Sequence, residues 1–140
     1  MMPVAGFDHA AIPIGDPEAM IAFYRRLGFT IVGEEQWREG TARIFSIQFG
    51  DSKINAHLPD FWSDPAFTLR GPTALPGCGD FCFVWDGTLE DLQAMLRSAE
   101  AEIVEGPVPR QGGRAGGTAV GTSIYTRDPD RNLLEFIVYE

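Results

Sequence analysis

Cysteine and histidine are scarce in this chain, with two of each among 140 residues. Cys78 and Cys82 form a Cys-x3-Cys pair with no second Cys/His cluster, which excludes a structural zinc site. They read as two reduced, part-buried thiols of a cytoplasmic protein. Cations are also in deficit: 11 Lys and Arg stand against 20 Asp and Glu, a net charge of -9. Nucleic acid and anionic membrane both require cationic surface, so neither is the expected partner. No apolar run approaches the roughly 20 residues that a membrane helix needs. Met1 to Phe7 has neither a basic segment nor a long apolar core, so no signal peptide is expected, and the expected compartment is the cytoplasm.

An apolar fraction of 44% with 11% aromatic residues is that of a globular chain. Its length corresponds to one domain with a sizeable core. Phe7 to Ile14 reads as a strand, with Phe7, His9 and Ala11 on one face and Ala10, Ile12 and Ile14 on the other. Asp16 as N-cap, Pro17 at the first helical position and Glu18 in the first turn start a helix. Its apolar face is Met20, Phe23, Tyr24 and Leu27, and Gly28 closes it. Strands are expected at Phe29–Glu34, Thr41–Phe49 and Lys53–Leu58.

The second half repeats this order. Asp80–Trp85 reads as a strand. Thr88 caps a helix with Asp91 three positions on, and Leu89, Leu92, Met95, Leu96 and Ala99 form the apolar face. Glu102–Glu105 reads as a short strand, followed by a glycine-rich loop from Gly106 to Gly121 and a closing strand pair. The repeat has a period of roughly seventy to eighty residues. The fold class is therefore α+β: two β-α-β-β-β modules forming a curved mixed sheet around a cleft, with helices outside. Module one covers about residues 6–58, the connection 59–79 and module two 80–140 of a single domain. Phe61, Trp62 and Phe67 in the connection suit a satellite apolar cluster, a dimer contact or a wall of a ligand pocket.

The closing segment, Thr122 to Glu140, contains a turn at Asp128-Pro129-Asp130-Arg131-Asn132. Pro129 presets φ, while Asp128 and Asn132 can bond nearby backbone or take left-handed geometry. In the strand that follows, Leu133, Glu135, Ile137 and Tyr139 share a face opposite Leu134, Phe136 and Val138. Glu135 is the one carboxylate inside this apolar run and needs a partner. A part-buried salt bridge to Arg127 or Arg43 is one candidate, a metal the other. His9, His57, Asp80 and Glu135 fall on the polar faces of strands at matching places in the two modules. Two histidines with a carboxylate and open positions suit a divalent metal. The Gly112–Gly117 loop has no helix after it and is not a phosphate cradle. It reads as a mobile lid or solvated loop, with Arg110 and Arg114 within reach of an anionic substrate.

Four stretches carry a family resemblance that spans nearly the whole chain: Phe7–Ile12, Phe23–Phe29, Gly50–His57 and Arg127–Glu135. Together they resemble the vicinal oxygen chelate superfamily, which includes glyoxalase I, extradiol dioxygenases and the fosfomycin and bleomycin resistance proteins. The nearest likeness is to its small glyoxalase-domain, dioxygenase-like branch. The resemblance implies a divalent metal (Fe, Mn, Ni, Zn or Co) that holds two oxygens of a small-molecule substrate. His9 and Glu135 match two ligand positions. Asp80 stands where the family usually has His, and for the remaining ligand Asn55 is the closer register match, with His57 two residues later. Glu135 and Tyr125 are the catalytic candidates, and Asn55, Arg127, Arg114 and Trp62 the substrate contacts. The implied activity is lyase, isomerase or ring-cleaving dioxygenase. The alternative is a metal-free protein that binds a small molecule or antibiotic. A homodimer is the expected assembly.

Overall fold

In the computed structural model, residues 3–140 are described; Met1 and Met2, part of the N-terminal stretch read above, lie outside them. The chain divides into two compact units, Met1–Pro76 and Gly77–Glu140.

The first unit runs β1 (His9–Pro13), α1 (Pro17–Arg26), β2 (Thr30–Val32), α2 (Glu34–Glu39), β3 (Ile44–Phe49), β4 (Ser52–His57) and α3 (Pro59–Trp62). The sheet order is β1-β4-β3-β2, with β1 parallel to β4 and the other pairs antiparallel. α1 starts as its sequence predicts: the Ala19 amide donates to the Asp16 carboxylate at 3.1 Å, which satisfies one of the free amides of the first turn. Met20, Phe23, Tyr24 and Leu27 are all buried. With Ile12, Ile14, Phe45, Ile47, Ile54 and Ala56 they make the core. Each large side chain so buried contributes about 1.5–3 kcal/mol. Tyr24 packs edge-on against Phe23 and Phe29, with ring centres 5.4 and 5.3 Å away.

The second unit runs β5 (Asp80–Val84), α4 (Leu89–Ser98), β6 (Glu105–Gln111), α5 (Arg114–Gly117), β7 (Val120–Arg127) and β8 (Leu133–Val138). Its sheet order, β5-β8-β7-β6, is the same pattern, with β5 parallel to β8. α4 begins with the Asp91 amide donating to the Thr88 hydroxyl at 3.0 Å. Leu92, Leu96 and Ala99 are buried together with Phe83, Ile124, Leu134, Phe136 and Val138. Two four-stranded mixed sheets with helices make this an α+β protein. Among the described residues no helix is long and apolar enough to cross a membrane.

Three local expectations are corrected. The residues after β2 turn into α2 instead of extending to Glu34, because Gly33 and Gly40, both at positive φ, bracket a short helix. That helix is anchored by Trp37 against Phe45 and by Arg38, which pairs with both Glu34 and Glu18. The short strand expected at Glu102–Glu105 lies instead at Glu105–Gln111, inside the segment read as loop. This strand pairs only with β7 and so forms an edge, where Pro107 and Pro109 are tolerated without loss of ladder bonds. Both cysteines are free and exposed, not part-buried. Cys82 points to the polar face of β5 while Phe81 and Phe83 flank it on the other.

The Asp128–Asn132 turn is held from inside. The Asn132 amide and its side-chain Nδ2 donate to the two Asp128 carboxylate oxygens at 2.9 and 2.7 Å. Asn132 Oδ1 accepts from the Gly79 amide at 2.7 Å, and Gly79 O accepts from Leu133. The turn thereby fixes the start of β8 beside the start of β5. The left-handed residue is Arg131, at φ 76°, and not Asp128 or Asn132.

Candidate functional site

The register of the second sheet places Cys82 on β5, Glu135 on β8 and Tyr125 on β7 in one row across it, with Glu105 next on β6. Side chains alternate, so this row stands on the face opposite the α4-packed core. Glu135 is half-buried and accepts a hydrogen bond from the Ser123 hydroxyl at 2.6 Å on Oε2. Ser123 itself is fully buried. The partner that sequence demanded for Glu135 is thus a serine. Arg43 pairs with Asp64, and Arg127 donates to the Arg131 carbonyl.

Tyr125 is engaged from the other side. Arg110 Nε donates to its phenol oxygen at 3.0 Å, the guanidinium lies 5.5 Å from the ring centre, and Arg110 also pairs with Glu105 at 3.0 Å. Burial raises the Tyr125 phenol above its ordinary range and the Glu135 carboxylate adds to this, while Arg110 pulls the other way. Cys82 is affected more strongly. Although the residue as a whole is exposed, packing around its sulfur strips the thiol of water and, reinforced by the Glu135 charge, pushes it up to about 12. Glu105, Arg110, Tyr125 and Arg127 line a groove of about 370 Å³ with Val104 and Leu133.

In the first sheet, His9 pairs with Lys53 and Ala11 with Asn55, and Asn55 faces Ser46 on β3. The His9 ring is substantially exposed, and its Nδ1 lies 2.6 Å from the Asp8 carboxylate. Asn55 Oδ1 accepts from the Ser46 hydroxyl at 2.9 Å. His57 sits in an aromatic cluster, edge-on to Phe61 and Phe67 at 5.2 and 5.3 Å, and those two rings stack 3.8 Å apart. Burial there lowers its pKa, and Arg70 lowers it further. Phe61 and Phe67 are therefore a satellite cluster around His57. Trp62 Nε1 donates to the Ile14 carbonyl at 2.9 Å, tying α3 to the end of β1.

The matching strand orders allow the two sheets to be compared place by place. His9 and Asp80 both open the first strand. Ala11 pairs with Asn55 as Cys82 pairs with Glu135, so Asn55 is the counterpart of Glu135. His57 corresponds to Ile137, a buried core residue. The expectation that His57 shares the symmetry of His9, Asp80 and Glu135 is corrected on this point. Within each unit, no three His, Cys, Asp or Glu side chains among the described residues stand close enough together to hold a metal ion. Asp80 is exposed at the start of β5. Arg114 is not next to Arg127: its guanidinium lies 4.3 Å above the Tyr139 ring, beside Trp85 and Asp86. Sequence reasoning overlooked Ser123 and Cys82. Alternation from Tyr125 and Arg127 places Ser123 on their face, but its pairing with Glu135 depends on the β7–β8 register.

Two units of one pattern, each with a helix on one sheet face and polar side chains on the other, define the class. The chain belongs to the glyoxalase/bleomycin resistance protein/dioxygenase superfamily, whose family model matches residues 6–136. It is 36% identical over 141 residues to the glyoxalase domain-containing protein RDO1 of Mycosarcoma maydis, covering 99% of this chain and 71% of that protein. It is 34% identical to the virulence protein STM3117 of Salmonella typhimurium, covering 99% of this chain and 87% of that protein. The crystal structure of STM3117 matches with a TM-score of 0.80 over 99% of this chain and 100% of that one. An integron cassette protein from the mobile metagenome of V. cholerae, 30% identical, matches with a TM-score of 0.81 over 100% and 99% of the two chains.

Proposed function

We propose that the protein is a divalent-metal-dependent enzyme of the glyoxalase/dioxygenase type, acting on a small substrate that presents two vicinal oxygens. The observation that carries this reading is that two candidate donors are each oriented by a second group. His9 has Nδ1 engaged by Asp8, leaving Nε2 as the ligating nitrogen. Glu135 has Oε2 engaged by Ser123, leaving Oε1. An imidazole with carboxylates is a donor set that suits Fe(II), Mn, Ni, Zn or Co. His9 and Glu135 are the ligands assigned in this reading, with His57, Asn55 or Asp80 as the third. The bound metal would supply Lewis-acid polarisation of the substrate oxygens.

The chain's own residues do the rest. Tyr125 donates a hydrogen bond to substrate oxygen, and Glu135 holds or moves a proton. Arg127 and Arg114 meet anionic groups, Asn55 offers an amide, and Trp62 supplies an apolar wall. A metal-free binding protein is the second reading, in keeping with a superfamily that also includes bleomycin resistance proteins. Metal content of the purified protein, with titration of Fe(II), Mn, Ni, Zn and Co, separates the two. Under the first reading His9→Ala and Glu135→Gln each lose metal. Binding that is absent in the parent, or unchanged in both variants, overturns it. Catechols and the methylglyoxal–glutathione adduct then divide dioxygenase from lyase.

A further inference from the structure

In a chain whose net charge is -9, one groove of the second unit is cationic. Arg110 on β6 and Arg127 on β7 line it with Glu105, two positive charges against one negative, and Val104 and Leu133 add apolar wall. Its volume of about 370 Å³ suits a small molecule. Both arginines keep donors for a ligand. Arg110 is aimed by its own strand: Nη1 donates to the Pro109 carbonyl at 2.9 Å and Nη2 to Glu105 at 3.0 Å, while Nε reaches the Tyr125 phenol at 3.0 Å. Those bonds use three of the five N–H groups of a guanidinium. Arg127 donates through Nη1 to the Arg131 carbonyl at 3.0 Å and pairs with no acid among the described residues.

The β7–β8 register fixes where an anion in this groove would lie. Arg127 pairs with Leu133 and Tyr125 with Glu135, so the two pairs are neighbours on one face of the ladder, roughly 7 Å apart. A molecule anchored at Arg127 by one end therefore extends its other end toward Tyr125 and Glu135. The apolar wall has no use for a hydrated inorganic ion. The second charge of a phosphate ester would meet Glu105 and Glu135. A carboxylate on a carbon skeleton avoids both conflicts, and its flat pair of oxygens matches a guanidinium fork.

We infer that Arg110 and Arg127 form a carboxylate subsite, and that the ligand of this face is a small organic acid with its oxygens roughly 7 Å from its carboxylate. For what happens to that acid, the inference rests on the enzymatic reading above; its binding does not, because the groove needs no metal.

The test is calorimetric titration of the full-length protein, without added metal, with 3,4-dihydroxybenzoate and with its neutral methyl ester. The acid should bind at least about tenfold more tightly, the worth of a hydrogen bond to a charged group. Arg110→Gln and Arg127→Gln should each lose about that factor for the acid and leave the ester within about twofold. Arg97→Gln removes the same charge from α4, on the opposite face of the sheet, and should change neither. Arg127 is exposed and bonded to a backbone carbonyl, so its variant carries the test should Arg110→Gln not fold. Four results each overturn the inference: acid and ester bound alike or not at all, equal losses of both in the groove variants, an equal loss in Arg97→Gln, or displacement of the acid by equimolar inorganic phosphate. A protein that prefers the acid but takes up no metal refutes the enzymatic reading alone. One that binds metal but is indifferent to the carboxylate refutes the subsite alone.

Discussion

The Ser123 hydroxyl donates to Glu135 Oε2 at 2.6 Å from a position with no solvent exposure, so the one carboxylate of an apolar strand is held by a neutral residue. Charge-assisted bonds of this kind are stronger than neutral ones. The first sheet offers an internal comparison in Ser46 and Asn55, a neutral pair 2.9 Å apart. Ser123→Ala should cost about 1–3 kcal/mol and Ser46→Ala about 0.5–1.5 kcal/mol. Urea unfolding measures both. Equal losses would show that the charge on Glu135 adds nothing to the bond.

The two thiols should react in a definite order. With its titration pushed up to about 12, Cys82 has a thiolate fraction of about one in ten thousand at pH 8. Cys78, exposed before β5, should be alkylated first by iodoacetamide at that pH, as read by peptide mass mapping. Glu135→Gln removes a negative charge beside the Cys82 thiol and should speed its labelling. Labelling of Cys82 at the rate of Cys78 in the parent protein would contradict this.

Asn132 is fully buried, and its side chain closes the turn onto Gly79 and Asp128. Asn132→Ala would leave the Gly79 amide without its partner and remove the side-chain bond to Asp128, at a cost of about 2–4 kcal/mol. Arg131→Gly acts in the opposite sense. A residue with a Cβ at φ 76° is strained, and glycine should recover up to about 1 kcal/mol. Thermal unfolding should therefore shift down for the first variant and up for the second. A destabilised Arg131→Gly would mean that the arginine side chain outweighs its backbone strain.

His57 makes stability depend on pH in a known direction. Its folded-state pKa lies below the ordinary 6.5 because burial among Phe61 and Phe67, and then Arg70, disfavour the imidazolium. The unfolded chain therefore binds the proton more readily than the folded one. The contribution is complete above about pH 6.5 and is lost as the pH falls through the depressed folded value. Urea midpoints should fall between about pH 6.5 and 5, and His57→Phe should flatten that slope. The carboxylates with lowered pKa, Glu18, Glu34 and Asp64, titrate below this window. An unchanged slope in His57→Phe would remove His57 as its source.

What the amino-acid order determined by itself was local. Asp16-Pro17 and Thr88 start their helices because a side-chain oxygen reaches an amide three residues on, a contact needing no distant partner. Alternation along β8 was equally legible, since successive side chains must face opposite ways. The two copies of β-α-β-β-β follow from these signals.

Tertiary structure decided what depends on register and on neighbours far along the chain. β6 was hidden because Pro107 and Pro109 signal loop, and only an edge place beside β7 makes them tolerable. α2 shows almost no apolar periodicity; Trp37 and a shared Arg38 hold it to elements distant in sequence. The partner of Glu135 could be any residue that β7 brought opposite or diagonal to it. A shift of one residue along that ladder would turn Ser123 into the core and leave the carboxylate unmet.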